Sequence, residues 1–152
     1  MQTKDTSPVR ILLIEDNPGD VMLVRLALHE SGLDFELQVI EDGERAAVFA
    51  LGQNGGRELA LPDLVLLDIN LPSVDGKDVL AAFRGSPQLR QIPVVILTCS
   101  ESMRDKLESV SLGANGYLQK PQRLEDFLRL GNDLRDLWYG VLKPGQAPRA
   151  AG

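Results

Sequence analysis

Five short apolar runs, at 9–14, 35–40, 64–67, 94–97 and 116–119, punctuate the chain, and each is followed by a stretch whose apolar residues recur at helical spacing. Nothing else in the sequence limits the fold as much. Uninterrupted Val, Ile and Leu suit strands buried on both faces, and intervening helices supply the two covering layers. The pattern predicts an α/β fold, a doubly wound parallel sheet of five strands with five helices. The first helix is expected to open at Pro18, whose fixed φ suits an initial turn, and to stop at Ser31-Gly32, with Val21, Val24 and Leu28 on its apolar stripe. Further helices are expected over about 43–51, 77–83, 103–112 and 123–138.

Gly52-Gln53-Asn54-Gly55-Gly56 reads as an exposed connector, and the Pro, Ala and Gly after Lys143 as a tail. One domain over 9–142, flanked by tails 1–8 and 143–152, fits a 152-residue chain, because single cores commonly organise roughly 100 to 150 residues. A net charge of -6 with a pI near 4.8 lacks the clustered Lys and Arg that nucleic-acid phosphates require, so no nucleic-acid partner is expected. No apolar run approaches the roughly 20 residues that cross a bilayer. The polar opening, 1–8, has no secretory h-region, which points to the cytoplasm, and the lone Cys99 cannot form an internal disulfide.

Open parallel sheets bind ligands outside the carboxyl ends of their strands. By that rule strand one delivers Glu15-Asp16, strand three Asp68, strand four Thr98, and strand five Lys120 after Tyr117. Three carboxylates at one sheet edge repel at low dielectric unless a cation offsets them. Oxygen donors suit Mg²⁺ better than zinc, which prefers His and Cys. An aspartate beside Mg²⁺ can attack phosphorus in line, the metal and a lysine dispersing charge on the equatorial oxygens. Asp68 is expected to be that nucleophile, with Thr98 donating a hydrogen bond to the acyl phosphate and Lys120 pairing with it.

Five motifs in order, Ile11-Leu12-Leu13-Ile14-Glu15-Asp16-Asn17, Asp63-Leu64-Val65-Leu66-Leu67-Asp68, Leu71-Pro72-Ser73-Val74-Asp75-Gly76, the run 94–98, and Tyr117 followed by Lys120-Pro121, closely resemble the receiver domain of two-component response regulators. The likeness covers about 9–137. It implies a flavodoxin-like sheet in strand order 2-1-3-4-5. It also implies that Glu15, Asp16, Asp68 and the backbone carbonyl of Asn70 hold Mg²⁺, and that a sensor histidine kinase phosphorylates Asp68. Thr98 and Tyr117 become the switch pair that repacks the face of helix four, strand five and helix five, and Lys120-Pro121 resembles the family's cis peptide. The family's members are phosphoacceptor signalling proteins rather than enzymes acting on other molecules. Glu15-Asp16-Asn17-Pro18-Gly19-Asp20 and Leu137-Trp138-Tyr139 are further similar to small regulators paired with phytochrome-type histidine kinases.

Two other classes share parts of this pattern. A Mg²⁺-dependent phosphatase of the haloacid dehalogenase type also uses an aspartate, a threonine and a lysine, but carries a second aspartate two residues after the nucleophile, where this chain has Asn70. A nucleotide- or flavin-binding module needs a glycine loop to cradle phosphate, where this chain has carboxylates. His29 is expected on the surface of helix one, Cys99 as a small residue beside the site, and Asp75-Gly76 as a turn with Gly76 at positive φ. On the last helix, Leu124, Phe127, Leu128, Leu134 and Trp138 are expected to face the sheet. Leu130, Leu137 and Val141 would then extend an apolar face toward a homodimer partner, the dimer being expected through helix four, strand five and helix five.

Overall fold

Ile11 and Leu13 pack into one apolar cluster and Leu12 and Ile14 into another, so successive residues of the first strand enter opposite faces of the sheet. A strand buried on both sides must lie centrally, and that is where the computed structural model puts it. Residues 7–52, 61–72 and 74–144 are described, so most of the expected connector and both chain ends lie outside them. The elements run β1 (Val9–Ile14), α1 (Pro18–Glu30), β2 (Phe35–Ile40), α2 (Gly43–Ala50), β3 (Leu64–Leu67), α3 (Gly76–Gly85), β4 (Val94–Thr98), α4 (Met103–Ser111), β5 (Gly116–Gln119) and α5 (Leu124–Leu137), closed by a π-helical turn over Trp138–Leu142. All strand pairs are parallel, as the apolar pattern predicts, and the order is β2-β1-β3-β4-β5, as the receiver resemblance implies.

Each face has its own core. Val24, Ala27 and Leu28 of α1 and Phe127, Leu130 and Leu134 of α5 cover one side. Ala46 and Phe49 of α2 and Val79, Leu80 and Phe83 of α3 cover the other. Local signals start the helices: Asn17 accepts from the amides of Gly19 and Asp20, Asp42 from Glu44, Asp75 from Lys77 and Ser102 from Asp105. Gly32 adopts φ 79° just past α1, the left-handed turn that glycine allows.

Three expectations need correction. The buried stripe of α5 is Phe127, Leu130, Leu134 and Trp138, spaced by three or four residues, so Leu130 belongs to the core while Leu124 is 52% exposed on the opening turn. Gly76 does not take positive φ. It opens α3 where the helix touches β3's continuation, and a Cβ there would lie 2.4 Å from the Ile69 Cα and 2.6 Å from the Asp68 carbonyl oxygen. Close approach, not turn geometry, requires the glycine. Finally, the helical path continues past Trp138 through a wider turn, closed by the Lys143 amide donating to the Trp138 carbonyl at 2.8 Å, which returns Leu142 to the core.

Candidate active site

The parallel ladder continues one residue beyond three strands, and that extension positions the chemistry. Glu15 N donates to Ile40 O at 3.1 Å, Asp68 N to Ile14 O at 3.1 Å, and Lys120 N to Thr98 O at 2.7 Å. Glu15, Asp68 and Lys120 are therefore pinned by their backbones at the same sheet edge, beside Thr98 at the end of β4. Glu15, Asp68, Thr98 and Lys120 are buried, whereas Asp16 is the most open of the acids.

Carboxylate oxygens of Glu15, Asp16 and Asp68 lie within 4.8 Å of one another, an all-oxygen set that fits a hard divalent cation. The Lys120 ammonium donates to Glu15, to Asp20 Oδ2 at 2.9 Å and to Asp68 Oδ2 at 3.0 Å. The second Asp68 oxygen accepts from the Asn70 amide at 2.9 Å. Asn70 thereby follows Asp68 around a tight turn, with its side-chain amide donating to Thr98 Oγ1 at 3.0 Å. No peptide bond among the described residues is cis, so the expected cis Lys120-Pro121 is not found. The Lys120 side chain aims inward nonetheless, because its amide is tied to Thr98 and three carboxylates draw the ammonium.

Residues 11–130 match the family model described as the response regulator receiver domain. This chain belongs to that family. Response regulator Rcp1 of Synechocystis is 38% identical over 91% of this receiver and 94% of its own length. The Mn²⁺-bound crystal form of Rcp1 superposes with a TM-score of 0.79, covering 93% of this receiver and 99% of that chain. The phosphorylated cyanobacterial phytochrome response regulator RcpA is 33% identical with a TM-score of 0.78, over 88% of this receiver and 96% of that chain. A receiver domain of sensor kinase PA1611 from Pseudomonas aeruginosa, with magnesium coordinated in its cleft, is 27% identical with a TM-score of 0.64, over 84% of this receiver and 97% of that chain.

Burial drives the receiver's electrostatics. Enclosure raises the Glu15 carboxyl to about 7, and although the Lys120 hydrogen bond pulls the other way, the Asp68 charge adds to the rise. Burial alone would lower the Lys120 ammonium, but the Glu15 hydrogen bond and the Asp68 charge more than offset it and hold the group above its ordinary value. At neutral pH the lysine is charged.

Two parts of this receiver's site escape sequence reasoning. Asp20, on the first turn of α1, meets Lys120 from an element that ends no strand. Ser100 gathers the loop after β4: its amide donates to Thr98 Oγ1 at 3.3 Å, its hydroxyl to Asp105 Oδ2 at 2.6 Å, and its carbonyl accepts from the Tyr117 hydroxyl at 3.2 Å. The expected switch pair is thus joined through one residue. A serine two positions past a strand carries no signal that would single it out.

Proposed function

We propose that this receiver accepts a phosphoryl group on Asp68 from a phosphohistidine of a sensor histidine kinase, and that Thr98 and Tyr117 carry the change to the face of α4, β5 and α5. The observation that carries the reading is the convergence of Glu15, Asp16 and Asp68 within 4.8 Å with a buried lysine on the same carboxylates. In the step itself an Asp68 oxygen forms a bond to phosphorus while the phosphorus–nitrogen bond breaks, its electron pair returning to the imidazole, which takes a proton from water. Glu15, Asp16 and Asp68, with the Asn70 carbonyl, would hold Mg²⁺, which supplies charge stabilisation at the phosphoryl oxygens. Lys120 receives the product's charge, and the Thr98 hydroxyl, oriented by Asn70 and Ser100, donates to a phosphoryl oxygen.

The similarity to the cyanobacterial phytochrome response regulator RcpA supports a phytochrome-type kinase as donor. We place the chain in the cytoplasm, acting on no molecule but its donor; among the described residues no helix is long and apolar enough to cross a membrane. Treatment with acetyl phosphate and Mg²⁺ should add one phosphoryl group by mass spectrometry. Asp68→Asn should remain unmodified. An unmodified wild type, or an equally modified Asp68→Asn, removes the proposal.

A further inference from the structure

An ammonium group has three hydrogens to donate, and Lys120 spends them on three carboxylates. Two of these, Glu15 and Asp68, belong to the set that fits a divalent cation. The third does not. Asp20 lies five residues after Glu15 on α1, and its carboxylate is 2.9 Å from the ammonium. We infer that Asp20 is a positioning residue that keeps Lys120 in the site when its other two partners are taken by metal or by phosphorus, an inference that rests on the phosphoacceptor reading above.

Its place in the helix argues against a purely local role. As third residue of α1, Asp20 could close a capping box by accepting from the amide of Asn17. That amide instead donates to Glu15 Oε2 at 3.3 Å, and Asp20 turns to Lys120. Its side chain is 24% exposed while that of Lys120 is 2% exposed, so the pair joins the rim of the site to its interior. The helix behind it is firmly seated, with Val24, Ala27 and Leu28 buried against the sheet and α5. A carboxylate on such an element keeps its position when Glu15 and Asp68 are engaged. One ammonium hydrogen stays on Asp20, and the other two are free to meet phosphoryl oxygens without the side chain swinging away.

The test compares wild type with Asp20→Asn and Asp20→Glu. In the metal-free protein, ¹⁵N-edited spectra should show a slowly exchanging Lys120 ammonium in wild type and Asp20→Glu, lost to water exchange in Asp20→Asn. With Mg²⁺ present, beryllofluoride should bind Asp20→Asn about tenfold more weakly, as expected for one charge-assisted hydrogen bond. Asp20→Glu should recover most of that affinity. In a Lys120→Gln background, Asp20→Asn should have no further effect. Should Asp20→Asn fold poorly, Asp20→Ser replaces it in the same titrations. Unchanged or tighter beryllofluoride binding, or an effect that persists without the lysine, overturns the assignment. Loss of phosphorylation at Asp68 in the wild-type protein would overturn the phosphoacceptor reading instead, and the metal-free ammonium spectrum reads the Asp20 contact separately.

Discussion

A carboxyl enclosed like that of Glu15, next to the buried carboxylate of Asp68, keeps its proton up to about pH 7. Because this folded value lies above the ordinary glutamic-acid value of 4.5, the metal-free fold binds the proton more tightly than the unfolded chain. The resulting stability is fully present below 4.5 and is lost as pH rises through about 7. A divalent ion must displace the same proton, so Mg²⁺ affinity should climb about tenfold per pH unit below 7 and level off above it. Calorimetric titrations across that range test this, and a flat profile would contradict it. Lys120→Gln leaves Glu15 and Asp68 facing each other without their cation, which should cost about 3 kcal/mol of metal-free stability near neutral pH. The loss should shrink in acid, where Glu15 takes up its proton, and urea denaturation at two pH values would reveal the difference.

Helices depend on what their backbones touch. A Cβ on Gly131 would lie 2.0 Å from the Ala27 carbonyl oxygen, so α5 crosses α1 at backbone contact. Alanine gains about 1 kcal/mol in helix propensity over glycine, yet the clash cannot be relieved by a side-chain rotation and should cost about 3 kcal/mol. Gly131→Ala is therefore expected to lower the denaturation midpoint, read by fluorescence of the buried Trp138. Between α3 and α4, Lys77 bridges Asp105 at 2.6 Å and Glu108 at 2.7 Å, and the hydrogen bonds it donates to both hold its pKa above the ordinary value. The bridge is partly open to water, so Lys77→Ala should change stability by less than about 1 kcal/mol. It should nevertheless quicken amide hydrogen exchange along α4, whose apolar anchoring is thin: of its nine residues only Ser109 is buried. Unaltered exchange would mean that the loop contacts alone seat the helix.

Across the whole molecule, apolar surface is distributed unevenly. Met103, Leu107 and Val110 recur at helical spacing on the outer side of α4, each more than half exposed. Leu124 stands exposed at the head of α5, and Tyr117 of β5 ties the same region to Ser100 in the loop beside the site. We propose that a homodimer through the face of α4, β5 and α5 covers this surface, with phosphorylation acting through the Thr98, Ser100 and Tyr117 connections. Sedimentation velocity with Mg²⁺ and beryllofluoride should shift the receiver toward dimer relative to the untreated protein. Leu107→Glu should abolish the shift while leaving Asp68 phosphorylation intact, and an unshifted wild type would remove the dimer proposal.

Strand positions, a parallel sheet and the gathering of Glu15, Asp68, Thr98 and Lys120 are legible from period and spacing, because buried strands need unbroken apolar runs and a parallel sheet puts their carboxyl ends on one edge, whereas the order β2-β1-β3-β4-β5 is implied only by the receiver motifs. The apolar stripe of α5 is less legible: Leu124 is exposed and Leu130 buried, the reverse of the expectation, because both are leucines and only the helix's rotation against α1 separates them. Asp20 and Ser100 carry no periodic signal at all; their roles arise from a helix and a loop approaching a strand end from the side. Local chemistry and periodicity settle which residues lie in strands and where those strands end. Only packing in three dimensions decides which side chains from other elements reach those ends, because such contacts depend on helix rotation and loop path, which leave no regular spacing along the chain.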